Sequence, residues 1–198
     1  MPAWEQYRGS LTLITGPMFA QKTTELRVRV QGWCYGDRRG AIVKFAGEDR
    51  FGVGAALATH NYPESPAMVS GPNVLVLEAH TLAEAEAAMV AHYGRLPDVV
   101  GIDEGQMFSD LERAGAFADA GACVYVAALN SDFRRQPFQG VAGLAADHVI
   151  SCTAECFDCH RRAATCTRRL GEQTEILVVG GADKYHSVCR PCHNRAHS

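Results

Sequence analysis

Residues 11–26 read Leu-Thr-Leu-Ile-Thr-Gly-Pro-Met-Phe-Ala-Gln-Lys-Thr-Thr-Glu-Leu, a short apolar strand running into a loop that ends in Lys-Thr-Thr and opens a helix over 23–30. The segment from Gly16 to Thr23 follows the pattern G-x-x-x-x-G-K-[ST] at every fixed position but one, where Gln21 replaces the second glycine. Such a loop turns backbone N–H groups toward phosphate oxygens. The ammonium of Lys22 neutralises the β/γ-phosphates, the Thr23 hydroxyl reaches Mg²⁺, and the helix directs its positive end at the same anion. Gly16, Pro17, Met18, Phe19, Ala20, Gln21, Lys22 and Thr23 are therefore the candidate nucleotide-binding residues. A positive φ at position 21 would cost glutamine on the order of 1 kcal/mol relative to glycine.

Outward from this loop, further apolar runs over 41–45, 74–77, 99–103 and 123–129 alternate with Ala-rich helical stretches over 82–93 and 108–120. That alternation predicts an α/β domain with a parallel sheet covered by crossover helices. The segment 47–72, rich in Gly, Pro and small residues, reads as a long surface loop.

The run Val99-Val100-Gly101-Ile102-Asp103-Glu104-Gly105-Gln106 is a buried strand ending in two carboxylates, at the sheet edge where ligands sit. Asp103 is placed to hold Mg²⁺, and Glu104 to take a proton from the group that attacks the γ-phosphate. These features define phosphoryl transfer or nucleotide hydrolysis without choosing between a kinase and a zinc-containing P-loop ATPase acting on nucleic acid.

Length and composition fit that reading. The chain has 198 residues, 47% of them hydrophobic, enough for a real core. A formal net charge of −3 argues against a protein devoted to wrapping nucleic acid. The N-terminal stretch carries no secretory pattern and no run is long enough to span a bilayer, which predicts a soluble, cytoplasmic protein. Six of the eight cysteines crowd the last quarter, placing a boundary between an ATP-binding α/β domain over 1–151 and a small zinc-binding domain over 152–198. Cys156, Cys159, Cys189 and Cys192 form two C-x-x-C pairs suited to a structural tetrahedral Zn²⁺. Arg161, Arg162 and Arg190 lie beside them to offset the thiolate charge, and His160 and His193 are alternative ligands.

Taken together, GPMFAQKTTEL, GIDEGQMF, VAALNSDFRRQPF over 126–138, the first C-x-x-C and VVGGADKYHSVCRPC over 178–192 resemble the type II thymidine kinases. The likeness covers about 9–193. It implies a P-loop NTPase-like domain with a C-terminal zinc-anchored lasso, and transfer of the ATP γ-phosphate to the 5′-hydroxyl of thymidine, and of deoxyuridine, in pyrimidine deoxynucleotide salvage. It implies Glu104 as the general base and Lys22 and Arg50 as catalytic cations. Asp103 and Gln106 fall near the metal and nucleotide. Arg50 belongs to an acidic-x-Arg element, Glu48-Asp49-Arg50, that faces the phosphates. Met18, Leu129, Phe133 and Phe138 resemble the walls of the nucleoside pocket. Thr167, Tyr185 and the run Ile176, Leu177, Val178, Val179 and Gly180 resemble the lasso contacts that read the base. The resemblance further implies a homodimer or homotetramer, feedback inhibition by dTTP, and neither nucleic acid nor membrane as a partner.

Overall fold

The computed structural model describes residues 8–34, 36–47, 73–171, 176 and 181–195. Six parallel strands build the main sheet: β1 (Ser10–Gly16), β2 (Gly40–Phe45), β3 (Val74–Ala79), β4 (Val99–Ile102), β5 (Cys123–Leu129) and β6 (His148–Ser151). Their spatial order is β3-β2-β4-β5-β1-β6. Side chains alternate between the two faces as strand geometry requires. Val124, Val126 and Ala128 of β5 enter one apolar cluster while Cys123, Tyr125 and Ala127 enter the other. The first cluster takes helices α2 (Leu82–Tyr93) and α3 (Arg113–Asp119) through Leu82, Met89, Ala114 and Phe117. The second takes helix α1 (Lys22–Trp33) through Leu26 and Val30.

Leu26 and Val30 are fully buried on the otherwise mostly polar helix α1, and the fit beneath them is tight. A β-carbon on Gly101 of β4 would lie 2.8 Å from Val30 Cγ2 and 3.3 Å from Leu26 Cδ1. The absence of a side chain there lets α1 settle on the sheet, and that seat fixes where its N-terminal residues Lys22 and Thr23 stand.

The expected fold class is present, with differences at element ends. The helix expected over 108–120 begins only at Arg113, because Asp110 spends both carboxylate oxygens on α2, accepting from Leu82 N at 2.9 Å and Ala83 N at 3.0 Å. That contact adds to the cap of α2, where Glu84 N donates to Thr81 Oγ1 and His80 N, one residue ahead of the cap, donates to Glu84 Oε2. The helix expected over 23–30 runs on to Trp33, β3 extends to Ala79 and β4 stops at Ile102. Strand β6 and the short helix α4 (Gln139–Ala142) have no counterpart in the sequence reading. The expected loop over 47–72 lies outside the described residues from 48 onward.

Beyond β6 the chain forms two small antiparallel pairs, β7 (Ala154–Glu155) with β8 (Ala163–Ala164) and β9 (Cys166–Arg169) with β10 (Tyr185–Val188), followed by helix α5 (Arg190–Arg195). Cys156, Ala164, Cys166, Val188, Cys189 and Cys192 make their common core. Among the described residues, no helix is long and apolar enough to cross a membrane.

The seat of α1 predicts that Gly101→Ala costs about 1–3 kcal/mol, since Val30 is fully buried and stiff at χ1 and cannot yield freely. Denaturant unfolding checks this, and an unchanged midpoint would show that α1 is not seated through Gly101.

Candidate active site

Because all six strands are parallel, their C-terminal ends share one edge of the sheet, and the chemistry-bearing residues of β1, β4 and β5 meet there. Gly16 closes β1 where a β-carbon would lie 2.3 Å from the carbonyl oxygen of Cys152. The loop beyond it is wound tightly, with Phe19 and Gln21 both in the left-handed region at φ 59°. Gln21 thus carries the positive φ that a glycine would adopt without strain. Its carbonyl accepts the first helical bond, from Glu25 N at 3.0 Å. Lys22 is buried and its Nζ donates to Pro17 O at 2.7 Å. Helix α1 therefore begins with its lysine folded back over the loop.

The Thr23 hydroxyl donates to Asp103 Oδ1 at 3.0 Å, joining the start of α1 to the end of β4. Asp103 N continues the sheet ladder to Val43 O at 2.9 Å, which holds the carboxylate in place. Burial, and then the neighbouring Glu104 carboxylate, push the Asp103 carboxyl up to about 7, against the opposing hydrogen bond from Thr23. Glu104 adopts φ 52°, breaking the strand direction, and its Oε2 accepts from Gln106 Nε2. Gln106 Oε1 in turn accepts from Leu129 N at 2.9 Å. One amide side chain thus braces Glu104 against the end of β5.

Opposite this edge, β9 and β10 reach the loop directly. Met18 N donates to Thr167 Oγ1 at 3.0 Å, so the Met18 amide is engaged by the hairpin. The Ser187 hydroxyl donates to Met18 O. Tyr185 is buried, and its hydroxyl accepts from Arg169 Nη2 at 2.8 Å. The Arg169 guanidinium lies 4.1 Å from the Phe133 ring centre and 5.2 Å from that of Tyr185, and donates to Ile176 O at 3.1 Å. Phe133, Tyr185 and Ile176 are thereby gathered around one cation. A cavity of about 400 Å³ opens beside them, lined by Phe133, Arg134, Arg135, His193 and Asn194. Phe138, expected with Phe133, is half-buried and packs on one side against the apolar cluster under α2 and α3. Glu48, Asp49, Arg50, Leu177, Val178, Val179 and Gly180 lie outside the described residues.

The four cysteine sulfurs of Cys156, Cys159, Cys189 and Cys192 lie within 4.8 Å of one another. Four ligands at the 2.3 Å Zn–S distance of a tetrahedral site stand about 3.8 Å apart, so the set fits a zinc ion. Burial raises the Cys156 thiol, but backbone N–H groups of Cys189, Cys159 and Asp158 outweigh it and bring the group down to about 6. Cys192 is driven up to about 12 by burial and the adjoining thiols. His160 and His193 do not join the cluster. The first pairs with Glu155 at 2.7 Å, and the second donates from Nε2 to Phe133 O at 3.0 Å. Arg195, which the sequence reading did not name, donates to Cys192 Sγ at 2.8 Å.

The sequence reading weighed Arg169 between a solvated surface and the phosphates, and missed its contacts with Phe133 and Tyr185, the Ser187 hydroxyl and the bracing function of Gln106. No local pattern announces them, since each acts on a residue distant in the chain.

Fold and site together define a nucleotide-binding α/β protein with an acidic strand end and a cysteine-rich appendage. The family model for thymidine kinase matches residues 9–193, so the chain belongs to the thymidine kinase family. It is 40% identical to human cytosolic thymidine kinase over 189 residues, covering 94% of this chain and 74% of the human one. To the cytosolic thymidine kinase of Gallus gallus it is 37% identical over 189 residues, covering 94% and 77%. To the thymidine kinase of Vaccinia virus strain Western Reserve it is 37% identical over 188 residues, covering 93% and 97%.

The raised Asp103 carboxyl predicts a pH-dependent cost. Since the folded-state value exceeds the ordinary carboxylate value near 3.9, the ionised form is disfavoured in the folded protein, and stability is lost as pH rises from about 4 to about 7. Asp103→Asn, measured without added Mg²⁺, should raise stability at about pH 8 by about 1 kcal/mol or more, and by less at about pH 5. Thermal melts at the two pH values check this; an equal shift at both would contradict it.

Proposed function

We propose that this protein is an ATP-dependent thymidine kinase that transfers the γ-phosphate of ATP to the 5′-hydroxyl of thymidine, and also of deoxyuridine. The observation that carries the reading is the convergence of Lys22, Thr23, Asp103 and Glu104 at one sheet edge, in a chain that belongs to the thymidine kinase family. The wound loop over 16–23 binds the triphosphate through backbone N–H groups, and Lys22 moves from the Pro17 carbonyl to the β/γ-phosphates when nucleotide arrives. Thr23 and Asp103 would hold Mg²⁺, which neutralises phosphate charge when bound. Asp103 is a carboxylate already fixed by the sheet ladder and the Thr23 hydroxyl, so it needs little rearrangement to serve.

Glu104 orients the 5′-hydroxyl and accepts its proton during in-line attack. Gln106 holds that carboxylate at a set angle by bridging it to Leu129 N. By the family resemblance, Arg50 with Glu48 and Asp49 would serve the phosphates. The nucleoside binds among Met18, Leu129, Phe133, Phe138, Thr167 and Tyr185, and by the family resemblance the segment from Ile176 to Gly180 would read its base. That segment excludes water, which a sugar alcohol must outcompete for the phosphoryl group.

The chain divides functionally into a nucleotide-handling part over 1–151 and a lasso part over 152–198. Cys156, Cys159, Cys189 and Cys192 would hold Zn²⁺, a cross-link that would tie the ends of the lasso. The protein works as a cytoplasmic homodimer or homotetramer, and dTTP inhibits it by filling the nucleoside pocket with its phosphates toward the loop.

A nucleoside panel with ATP and Mg²⁺ tests the activity: phosphate should appear on thymidine with little free phosphate released. Hydrolysis stimulated by DNA, with thymidine unchanged, would overturn the reading. Glu104→Gln should lower turnover by about 10²- to 10⁴-fold while thymidine still binds; full activity would remove Glu104 from the mechanism. Metal analysis should find about one zinc per chain, and chelation should abolish thymidine binding. A protein purified without zinc, or one that still binds thymidine after chelation, would contradict the lasso anchor.

A further inference from the structure

The backbone of Met18 is gripped from both sides by the C-terminal hairpin. Met18 N donates to Thr167 Oγ1, and Met18 O accepts from Ser187 Oγ. Thr167 and Ser187 face each other across one rung of the β9/β10 pair, and both are buried. Ser187 precedes Cys189 by two residues, so the cysteine cluster that fixes α5 and the hairpin also fixes this hydroxyl.

The carbonyl of Met18 and the N–H of Phe19 belong to one planar trans peptide unit and point in opposite directions. Drawing the carbonyl toward the hairpin turns the Phe19 N–H away from it. Phe19 itself sits at φ 59°, a conformation that an L side chain adopts reluctantly. Rotation of the Met18–Phe19 peptide plane would return Phe19 to negative φ. The same rotation would dismantle the alternation with Gln21, also at φ 59°, that lines up N–H groups for an anion.

We propose that Ser187 is a positioning residue for the phosphate loop: its hydroxyl, held by the cysteine-anchored hairpin, locks the Met18–Phe19 peptide in the orientation that binds the ATP phosphates. The proposal deepens the kinase reading and rests on it. It also links the metal site to nucleotide binding, in addition to any part the cluster has in closing the lasso.

The test is a double-mutant cycle on Ser187→Ala and Phe19→Gly, read by calorimetric binding of ATP to the zinc-loaded protein without nucleoside, beside the KM values for ATP and thymidine. Ser187→Ala should weaken ATP binding about fivefold to tenfold, the effect of one lost hydrogen bond, and raise the KM for ATP in step. The KM for thymidine should change less, and zinc content should stay at the parent level. With glycine at position 19 the left-handed backbone needs no brace, so Ser187→Ala in the Phe19→Gly background should cost less than about twofold. Unchanged ATP affinity in the single variant would overturn the proposal. So would an equal loss in both backgrounds, which is what general loosening of the hairpin would give. A parent protein that binds no ATP would instead overturn the kinase reading, so the two failures are distinguishable.

Discussion

The hydrogen bond from Thr23 to Asp103 is the contact on which the site depends. It links the first turn of α1 to the last residue that β4 places, two segments separated by 80 positions in the chain. Its geometry is inherited from larger constraints. The parallel sheet puts the ends of β1 and β4 on one edge, and Gly101 lets α1 lie close enough to β4 for the two side chains to meet. Remove either constraint and the lysine, the hydroxyl and the two carboxylates no longer share a volume. The buried carboxylate bears a desolvation cost in return, visible in the upward displacement of its proton affinity. A group held so poorly solvated is ready to exchange its weak partners for a cation.

The small C-terminal part gains its shape from a different source. Its strands are two to four residues long and its apolar core is made largely of cysteines. Such a segment has little hydrophobic area to stabilise it, and a tetrahedral cation on four thiolates is the kind of cross-link that offsets the deficit. From that anchor its contacts with the larger part include three groups: Thr167 and Ser187 on Met18, the Thr165 carbonyl on Asn130, and His193 and Arg169 on Phe133. All three lie along the rim of the candidate site, where the phosphate loop, the end of β5 and the loop after it come together.

Much of this was legible in the amino-acid order because the chemistry is local there. The loop around Lys22, the Asp103-Glu104 strand end and the two cysteine pairs are contiguous patterns whose residue types leave few alternatives. Buried strands announced themselves as apolar runs. The signals failed where tertiary structure uses a residue for a distant purpose. Asp110 looks like helix interior but caps α2, and Gln106, read as a residue near metal and nucleotide, also braces Glu104 against β5. Strand β6 is mostly exposed at the sheet edge, so its His148-Val149-Ile150-Ser151 sequence lacks the buried pattern of its neighbours. Arg169 pairs with rings 36 and 16 positions away, and Ser187 with a carbonyl 169 positions away, distances at which no periodicity operates.

In the proposed reaction an alcohol and a phosphoryl group are brought into line at this site before any bond changes. A crystal structure with thymidine and a non-hydrolysable ATP analogue measures that most directly. The predicted result is a 5′-oxygen within about 3.5 Å of the γ-phosphorus and hydrogen-bonded to Glu104, with the triphosphate over the loop from Gly16 to Thr23. A nucleoside bound with its 5′-oxygen remote from the γ-phosphate, or a triphosphate bound away from Lys22, would contradict it.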